Sequence, residues 1–482
     1  MMIRTEKILF SIIIAFFLFV SFFHFQTNPD SWFDEGIFHQ IVSNVSQGGV
    51  IGVQLSENNF SDSSLISVGY SVLYPASTAF IAFGDSITVL RLVAIGFLIG
   101  FVLCFYFLVR KLYGSKHALL SLLLLSMFSP LYGNGVNFLG EVPGLFYFTG
   151  ALLLSAYSFS DKIKQNISLI FITGVLFGLA ISAKPIYILI IPALGVAFLI
   201  KWKFFLKSKQ GLKLLSIFSF GLLIPLAYWW YTQFGPTVSF GRVFQHYSNP
   251  YYITDYYFVI TGNLKRFVTE STPMHFIVML VLALFLVIKK FFSKTQLYFA
   301  EIVGVVFVGL IFLFYLRTIG WYRNFFPGHA MLFIFFSFAF WEFLKSIHFI
   351  PIKYIKTVLF AGIFLLALFQ GKPMLEERFN TDGDVSTDAE NYLSQISEQE
   401  SVFFYSVPYV ASRYTKDNFS QYIEMSESLS LGSENLEKFQ SGEFSLVFIP
   451  TNNINVAPNC YFVEDNIRKI SILKRKKDSI CE

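Results

Sequence analysis

The chain has 482 residues, 55% of them hydrophobic and only 14% charged, with 61 phenylalanines; this balance excludes an ordinary soluble globular domain and makes lipid the natural solvent. A formal charge of +5 does not mark a nucleic-acid partner, because the basic residues sit in short clusters between apolar runs, where they orient a membrane protein. The cysteines Cys104, Cys460 and Cys481 show no CxxC or Cys/His spacing, so no metal site follows from them, and a Cys460–Cys481 disulfide is open to the chain only outside the cytosol.

The first apolar run, 8–25, follows Arg4 and Lys7 as a signal peptide would, but no small-residue cleavage site comes after it, and we read it as a retained anchor. A loop over 26–86 follows, without Lys or Arg. In it Ile37, Phe38, Ile41, Val42 and Val45 recur at helical spacing and predict a short amphipathic surface helix starting at Asp34 and Glu35. The stretch 68–83, interrupted by Pro75 and followed by Gly84 and Asp85, predicts a re-entrant or interfacial segment. Apolar runs at 87–109, 118–133, 141–158, 167–182, 186–200 and 214–231 predict further crossings. A second long loop, 232–273, is rich in Tyr and Phe, and four runs close the series at 274–288, 297–315, 325–343 and 357–371. With the N-terminus in the cytoplasm, eighteen basic residues fall on the cytoplasmic side and six on the other up to residue 371; that asymmetry sets the orientation, and about eleven crossings put the C-terminus outside. After Gly371 the composition turns polar. Strands are expected at 401–405, 444–449 and 470–473 and helices at 388–396 and 434–439. The expected fold is therefore a polytopic α-helical membrane protein, residues 1–371, with a small C-terminal α/β domain, 372–482, on the extracytoplasmic face.

Chemistry-bearing residues gather on that face. Asp34 and Glu35 lie just beyond the first span, Glu141 at the outer end of the fourth, and Lys184, Arg317 and Arg323 at outer ends of later ones. A carboxylate that accepts a proton from an attacking hydroxyl, facing cations that stabilise a departing phosphate, is what glycosyl transfer from a lipid phosphate requires. The order of motifs resembles the GT-C glycosyltransferases, in the branch of protein O-mannosyltransferases and lipid A aminoarabinose transferases. The likeness runs over about residues 1–370: the acidic pair Asp34-Glu35 before a surface helix, Phe83-Gly84-Asp85, Leu90-Arg91-Leu92, Gly178-Leu179-Ala180 running into Lys184-Pro185, and Tyr322-Arg323 running to Pro327.

The resemblance implies a polyprenyl-phosphate sugar as donor, a lipid, glycan or protein hydroxyl as acceptor, and inversion at the anomeric carbon. Asp34 would be the base, Glu35 would orient the acceptor or the loop, and Lys184, Arg323 and Arg317 would grip the carrier phosphate. No metal is required, although nothing in the sequence forbids a divalent ion. A eukaryotic O-mannosyltransferase carries a large β-trefoil where this chain has a 42-residue loop, so a bacterial plasma membrane is expected. The oligosaccharyltransferase Trp-Trp-Asp signature is lacking: Trp229-Trp230 lies in a span with no Asp after it.

Each residue also has a plainer reading. Carboxylates complement helix N-termini, and Lys or Arg at span ends snorkel to headgroups. Glu141 is costly in a membrane unless it meets water or a cavity. Arg91 pairs more naturally with an acid of the first loop than with substrate, and His246, a candidate substrate contact, is more often a structural histidine. The tyrosines Tyr247, Tyr251, Tyr252, Tyr256 and Tyr257 fit an interfacial belt as well as a sugar platform. Competing functions are a lipid-linked glycan transporter or flippase, which should show repeated halves or matched helix breaks that are lacking here, a surface-polysaccharide polymerase or ligase, and a sensor built on the C-terminal domain.

Overall fold

The computed structural model describes residues 4–159, 166–201, 207–235, 238, 239, 241, 243, 249, 253–347, 351–379, 383–416, 418–426, 429–476 and 481. Helix α1 (Arg4–Phe22) is followed by α2 (Phe33–Gly48), a two-stranded hairpin of β1 (Gln54–Ser56) and β2 (Asn59–Phe60), and α3 (Tyr70–Phe83). Then come α4 (Ile87–Tyr113), α5 (Ser115–Ser126), α6 (Ser129–Val136), α7 (Glu141–Ser158), α8 (Ile167–Ala183), α9 (Ile190–Ile200) and α10 (Lys209–Gln233). The series continues with α11 (Tyr256–Thr269), α12 (Ser271–Phe292), α13 (Phe299–Leu316), α14 (Tyr322–Ser346) and α15 (Ile352–Phe379).

All eleven apolar runs of the sequence lie on these helices. Among the described residues seven helices are long and apolar enough to cross a membrane alone, and α5 with α6, bent by 70° to one another, make an eighth if the pair is one span and not a re-entrant loop. The remaining runs correspond to α7, α8 and α9, the last entered through a 3-10 turn at Pro185–Leu189. Local signals set several helix ends. The Ser86 hydroxyl accepts from Val89 N at the start of α4, Ser208 from Gly211 N at the start of α10, and Gly114, at φ 90°, closes α4.

The first long loop is folded. The predicted surface helix is α2, but its apolar face does not lie on lipid: Ile37, Phe38, Ile41 and Val42 are buried with Val72, Leu73 and Ala76 of α3 and with Leu90 of α4. The segment expected to be re-entrant or interfacial is the single helix α3, with Pro75 inside its first two turns.

Beyond α15 the chain forms α16 (Val385–Leu393), β3 (Val402–Tyr405), the short α17 (Pro408–Ala411), β4 (Phe419–Ser426), β5 (Leu429–Leu431), α18 (Ser433–Gln440), β6 (Leu446–Pro450), β7 (Tyr461–Ile467) and β8 (Ile470–Arg475). The six strands make one sheet in the order β5-β4-β3-β6-β8-β7. Its centre, β4-β3-β6, is parallel and the other pairs are antiparallel. Apolar residues pack on both faces of the sheet, and Cys460 is joined to Cys481.

Two features depart from a division of the chain at residue 371. Helix α15 runs through Pro373 to Phe379, because Arg378 donates from its buried guanidinium to the carbonyls of Val20 at 3.0 Å and Phe23 at 2.8 Å, tying the end of α1 to α15. The sheet also shares apolar core with the first loop, since Ile423 and Leu431 are buried in the cluster that α2 and α3 build. A Cβ at Gly36 of α2 would overlap the backbone of Pro408 and Tyr409, so only glycine permits α2 and α17 to approach so closely.

Candidate active site

The site lies where the first loop, the sheet and the ends of α4, α7, α12, α14 and α15 meet. Asp34, in the first turn of α2, is ion-paired with Arg323, in the first turn of α14. Both are only partly covered, Asp34 being 15% and Arg323 20% exposed, so the pair remains reachable by substrate. The Arg323 guanidinium also lies 4.7 Å over the Trp321 ring, a contact that fixes its plane.

Glu35, the next residue, is turned inward and 1% exposed. Its carboxylate accepts from Nε of Arg91 at 2.9 Å and from Nη2 at 2.7 Å, a bidentate pair, and from Phe138 N at 3.1 Å. Arg91, itself fully buried, donates further to the Phe25 carbonyl at 2.9 Å. One acid of the sequence pair is thus spent on holding the loop, and Arg91 does the holding.

The same loop is gripped from the sheet end. Ser31 donates through N and Oγ to the Asp384 carboxylate, each at 2.8 Å. Burial alone would raise the Asp384 carboxyl, but its hydrogen bonds from Ser386 and Ser31 and the nearby Arg91 charge hold it below its ordinary 3.8. Arg413 lies 3.8 Å from the same carboxylate.

Glu141 and Lys184 meet at 2.6 Å, with Glu141 2% exposed; the second oxygen of Glu141, Oε2, has no hydrogen-bond partner among the described residues. In the first loop, His39 and Asp85 pair at 2.8 Å. Desolvation would raise the Asp85 carboxyl, yet the hydrogen bond and charge of His39 leave it lowered. Arg317 is exposed and rests 5.0 Å over the Tyr256 ring. His246, with Arg242, Tyr247, Tyr251 and Tyr252, lies outside the described residues.

A cavity of about 800 Å³ opens beside the Asp34–Arg323 pair. Its walls include Pro29 and Trp32 of the first loop, Asn134 and Asn137 after the bend between α5 and α6, and Arg266 before α12. Ser271 and His275 of α12, Trp321, Tyr322 and Arg323, and Leu366, Phe369, Gln370, Pro373 and Glu377 of α15 complete it. The spacing of the α15 residues puts them on one face of that helix. Lys184, Glu141 and Arg317 are not among the lining residues, so of the cations read from the sequence only Arg323 faces this space.

Several lining residues carried no sequence signal. Arg266, which donates to Glu270 at 2.7 Å, supplies a second cation. A polar chain also crosses the helices: the Tyr322 hydroxyl is 2.9 Å from His329 Nδ1, His329 Nε2 is 3.0 Å from His275 Nδ1, and Gln370 Nε2 is 3.4 Å from the same atom. These histidines interrupt apolar runs, and only their shared position on packed helices reveals them. Among the described residues no three His, Cys, Asp or Glu side chains converge as a metal site would need.

Comparison with known proteins bears on the fold. Residues 72–229 match the family model described as dolichyl-phosphate-mannose-protein mannosyltransferase, and no curated protein sequence matches the chain. Among solved structures the chain is similar to ArnT from Cupriavidus metallidurans bound to undecaprenyl phosphate, with a TM-score of 0.60 and 10% identity over 98% of both chains. It is also similar to the oligosaccharyltransferase of Archaeoglobus fulgidus in the apo form, with a TM-score of 0.58 and 11% identity over 93% of this chain and 70% of that one. The archaeal oligosaccharyltransferase AglB in complex with an inhibitory peptide and a dolichol-phosphate gives a TM-score of 0.56 at 10% identity, over 99% of this chain and 75% of that one.

Proposed function

We propose that the chain, whose fold is similar to those of ArnT and the archaeal oligosaccharyltransferase and whose residues 72–229 match a mannosyltransferase family model, is a GT-C glycosyltransferase that moves a sugar from a polyprenyl-phosphate donor to an acceptor hydroxyl on the extracytoplasmic face of a bacterial plasma membrane. The observation that carries this reading is the Asp34–Arg323 pair at the edge of a cavity of about 800 Å³ that also holds Arg266. In the proposed reaction the Asp34 carboxylate takes the proton of the acceptor hydroxyl as its oxygen attacks the anomeric carbon from the face opposite the phosphate. The bond from carbon to phosphate oxygen breaks, the electron pair leaves with the polyprenyl phosphate, and the configuration inverts.

Arg323 has two duties in this scheme. It orients Asp34 before the donor arrives and then shares its charge with the phosphate, whose modest charge needs only side-chain cations such as Arg323 and Arg266. Glu35 and Arg91 act by fixing the loop that presents Asp34. Lys184 and Glu141 form a second polar cluster outside the cavity lining, so a phosphate contact by Lys184 requires their pair to open.

Purified protein given a panel of polyprenyl-phosphate hexoses and pentoses tests the reading. Asp34→Asn is expected to keep the fold and to lower turnover by on the order of 10²- to 10⁴-fold. Full activity in that variant would overturn the site, and cysteine labelling that places position 34 on the same side as Arg110 and Lys116 would overturn the topology.

A further inference from the structure

Three buried side-chain atoms on cavity-lining residues have no hydrogen-bond partner among the described residues: Nε2 of His275, Oε1 of Gln370 and Oδ1 of Asn137. Folded proteins rarely leave buried polar atoms unpaired, and three around one cavity call for a ligand that pairs them. The existing bonds say what that ligand must offer. Gln370 Nε2 can only donate, so His275 Nδ1 is an acceptor whose one lone pair is shared between His329 Nε2 at 3.0 Å and Gln370 Nε2 at 3.4 Å, and the proton of His275 sits on Nε2. His329 Nδ1 then accepts the Tyr322 hydroxyl proton. The pair therefore needs one acceptor, for His275 Nε2, and one donor, for Gln370 Oε1. Turning the amide of Gln370 over exchanges the two roles and leaves the same demand.

A phosphate oxygen only accepts, an ammonium group only donates and a prenyl chain does neither. A hydroxyl does both. Asn137 spends its amide nitrogen on the Asp30 carbonyl at 3.3 Å, so its Oδ1 asks for a second hydroxyl donor. His275 lies one turn inside α12, and Gln370 lies seven residues before Glu377 on α15, about 10 Å along the axis, and both line the same cavity as Arg323 and Arg266. We infer that His275 and Gln370, held in register by His329 and Tyr322, are specificity residues that bind a hydroxyl of the lipid-linked sugar, with Asn137 taking another. This rests on the glycosyl-transfer reading and names the part of the donor that the cavity selects.

Equilibrium binding of undecaprenyl phosphate and of undecaprenyl-phosphate hexoses to the purified full-length protein, with no acceptor present, tests it. The wild type should bind a matching sugar-bearing lipid on the order of tenfold more tightly than the bare carrier. Gln370→Leu and His275→Phe should each remove most of that preference, and both should keep the affinity for undecaprenyl phosphate, which also reports an intact fold. Equal weakening of both lipids in these variants, or an unchanged preference because the atoms are met only by water, would overturn the inference. So would a wild type that gains nothing from any sugar, including a case in which the unpaired atoms serve an acceptor hydroxyl instead. Arg323→Ala should weaken both lipids alike. If the wild type binds neither, the carrier reading itself fails and this inference falls with it.

Discussion

Asp34 and Glu35 are chain neighbours whose side chains meet opposite environments. The first faces a partly open space opposite Arg323, and the second is sealed against Arg91. Because a buried charge left without its partner is strongly destabilising, Arg91→Met should lower the unfolding free energy by about 3–5 kcal/mol, seen as a large fall in thermal unfolding temperature. Restoring neutrality with Glu35→Leu in the same protein should recover much of the loss, a coupling that a double-variant cycle measures. Arg323→Ala should leave stability close to wild type, within about 1 kcal/mol, because its pair is partly exposed. The acidic doublet and Arg323 were legible in the sequence as chemistry on one side of the membrane. The burial of Glu35 was not, because it depends on Phe138 N and Arg91, brought from 103 and 56 residues away. His275 and Gln370 were invisible because a lone polar residue in an apolar run has no period to betray it.

At the level of elements, α2 is clamped on two sides, by α3 below and by α17 with the β4-β5 edge above. Gly36→Leu should separate α2 from α17 while sparing the spans. Faster proteolytic cleavage after residue 384, with the transmembrane core still folding, is the expected readout. The Asp384 contacts add a pH dependence whose sign follows from the lowered carboxyl. The folded state holds fewer protons than the unfolded chain in this range, so the stabilisation is full above the ordinary value of 3.8 and fades as pH falls from there through the lower folded value. Protease sensitivity of the C-terminal segment between pH 6 and pH 3 should therefore rise more steeply in wild type than in Asp384→Asn, which lacks the titrating group. Periodicity in the sequence marked α2 as amphipathic and found β3, β6 and β8. It missed β4, β5 and β7, along which apolar and polar residues do not alternate cleanly, and it assigned the apolar face of α2 to lipid because no local signal announces that α3, α4 and the sheet fold over it.

Across the whole molecule, the apolar helices were read well because hydrocarbon imposes a length and a composition on a span, although seven, or eight with the bent α5–α6 pair, against the expected eleven, are long and apolar enough to cross among the described residues. The folded first loop and the continuity of α15 were harder to foresee, since both depend on bonds between the two ends of the chain, such as those from Arg378 to the end of α1. That helix is a single rod: one face walls the cavity from Leu366 to Glu377, and its final turn is anchored beside the loop that presents Asp34. Much of its remaining surface, including Phe364, Leu365 and Leu368, is apolar and exposed, the composition that acyl chains solvate. A helix anchored at one end answers a thinner or thicker bilayer by changing its tilt, and here a tilt alters the width of the cavity. In nanodiscs of graded acyl-chain length, the proposed sugar transfer should pass through a maximum at one thickness, so that the surrounding lipid tunes the rate without ever entering the reaction.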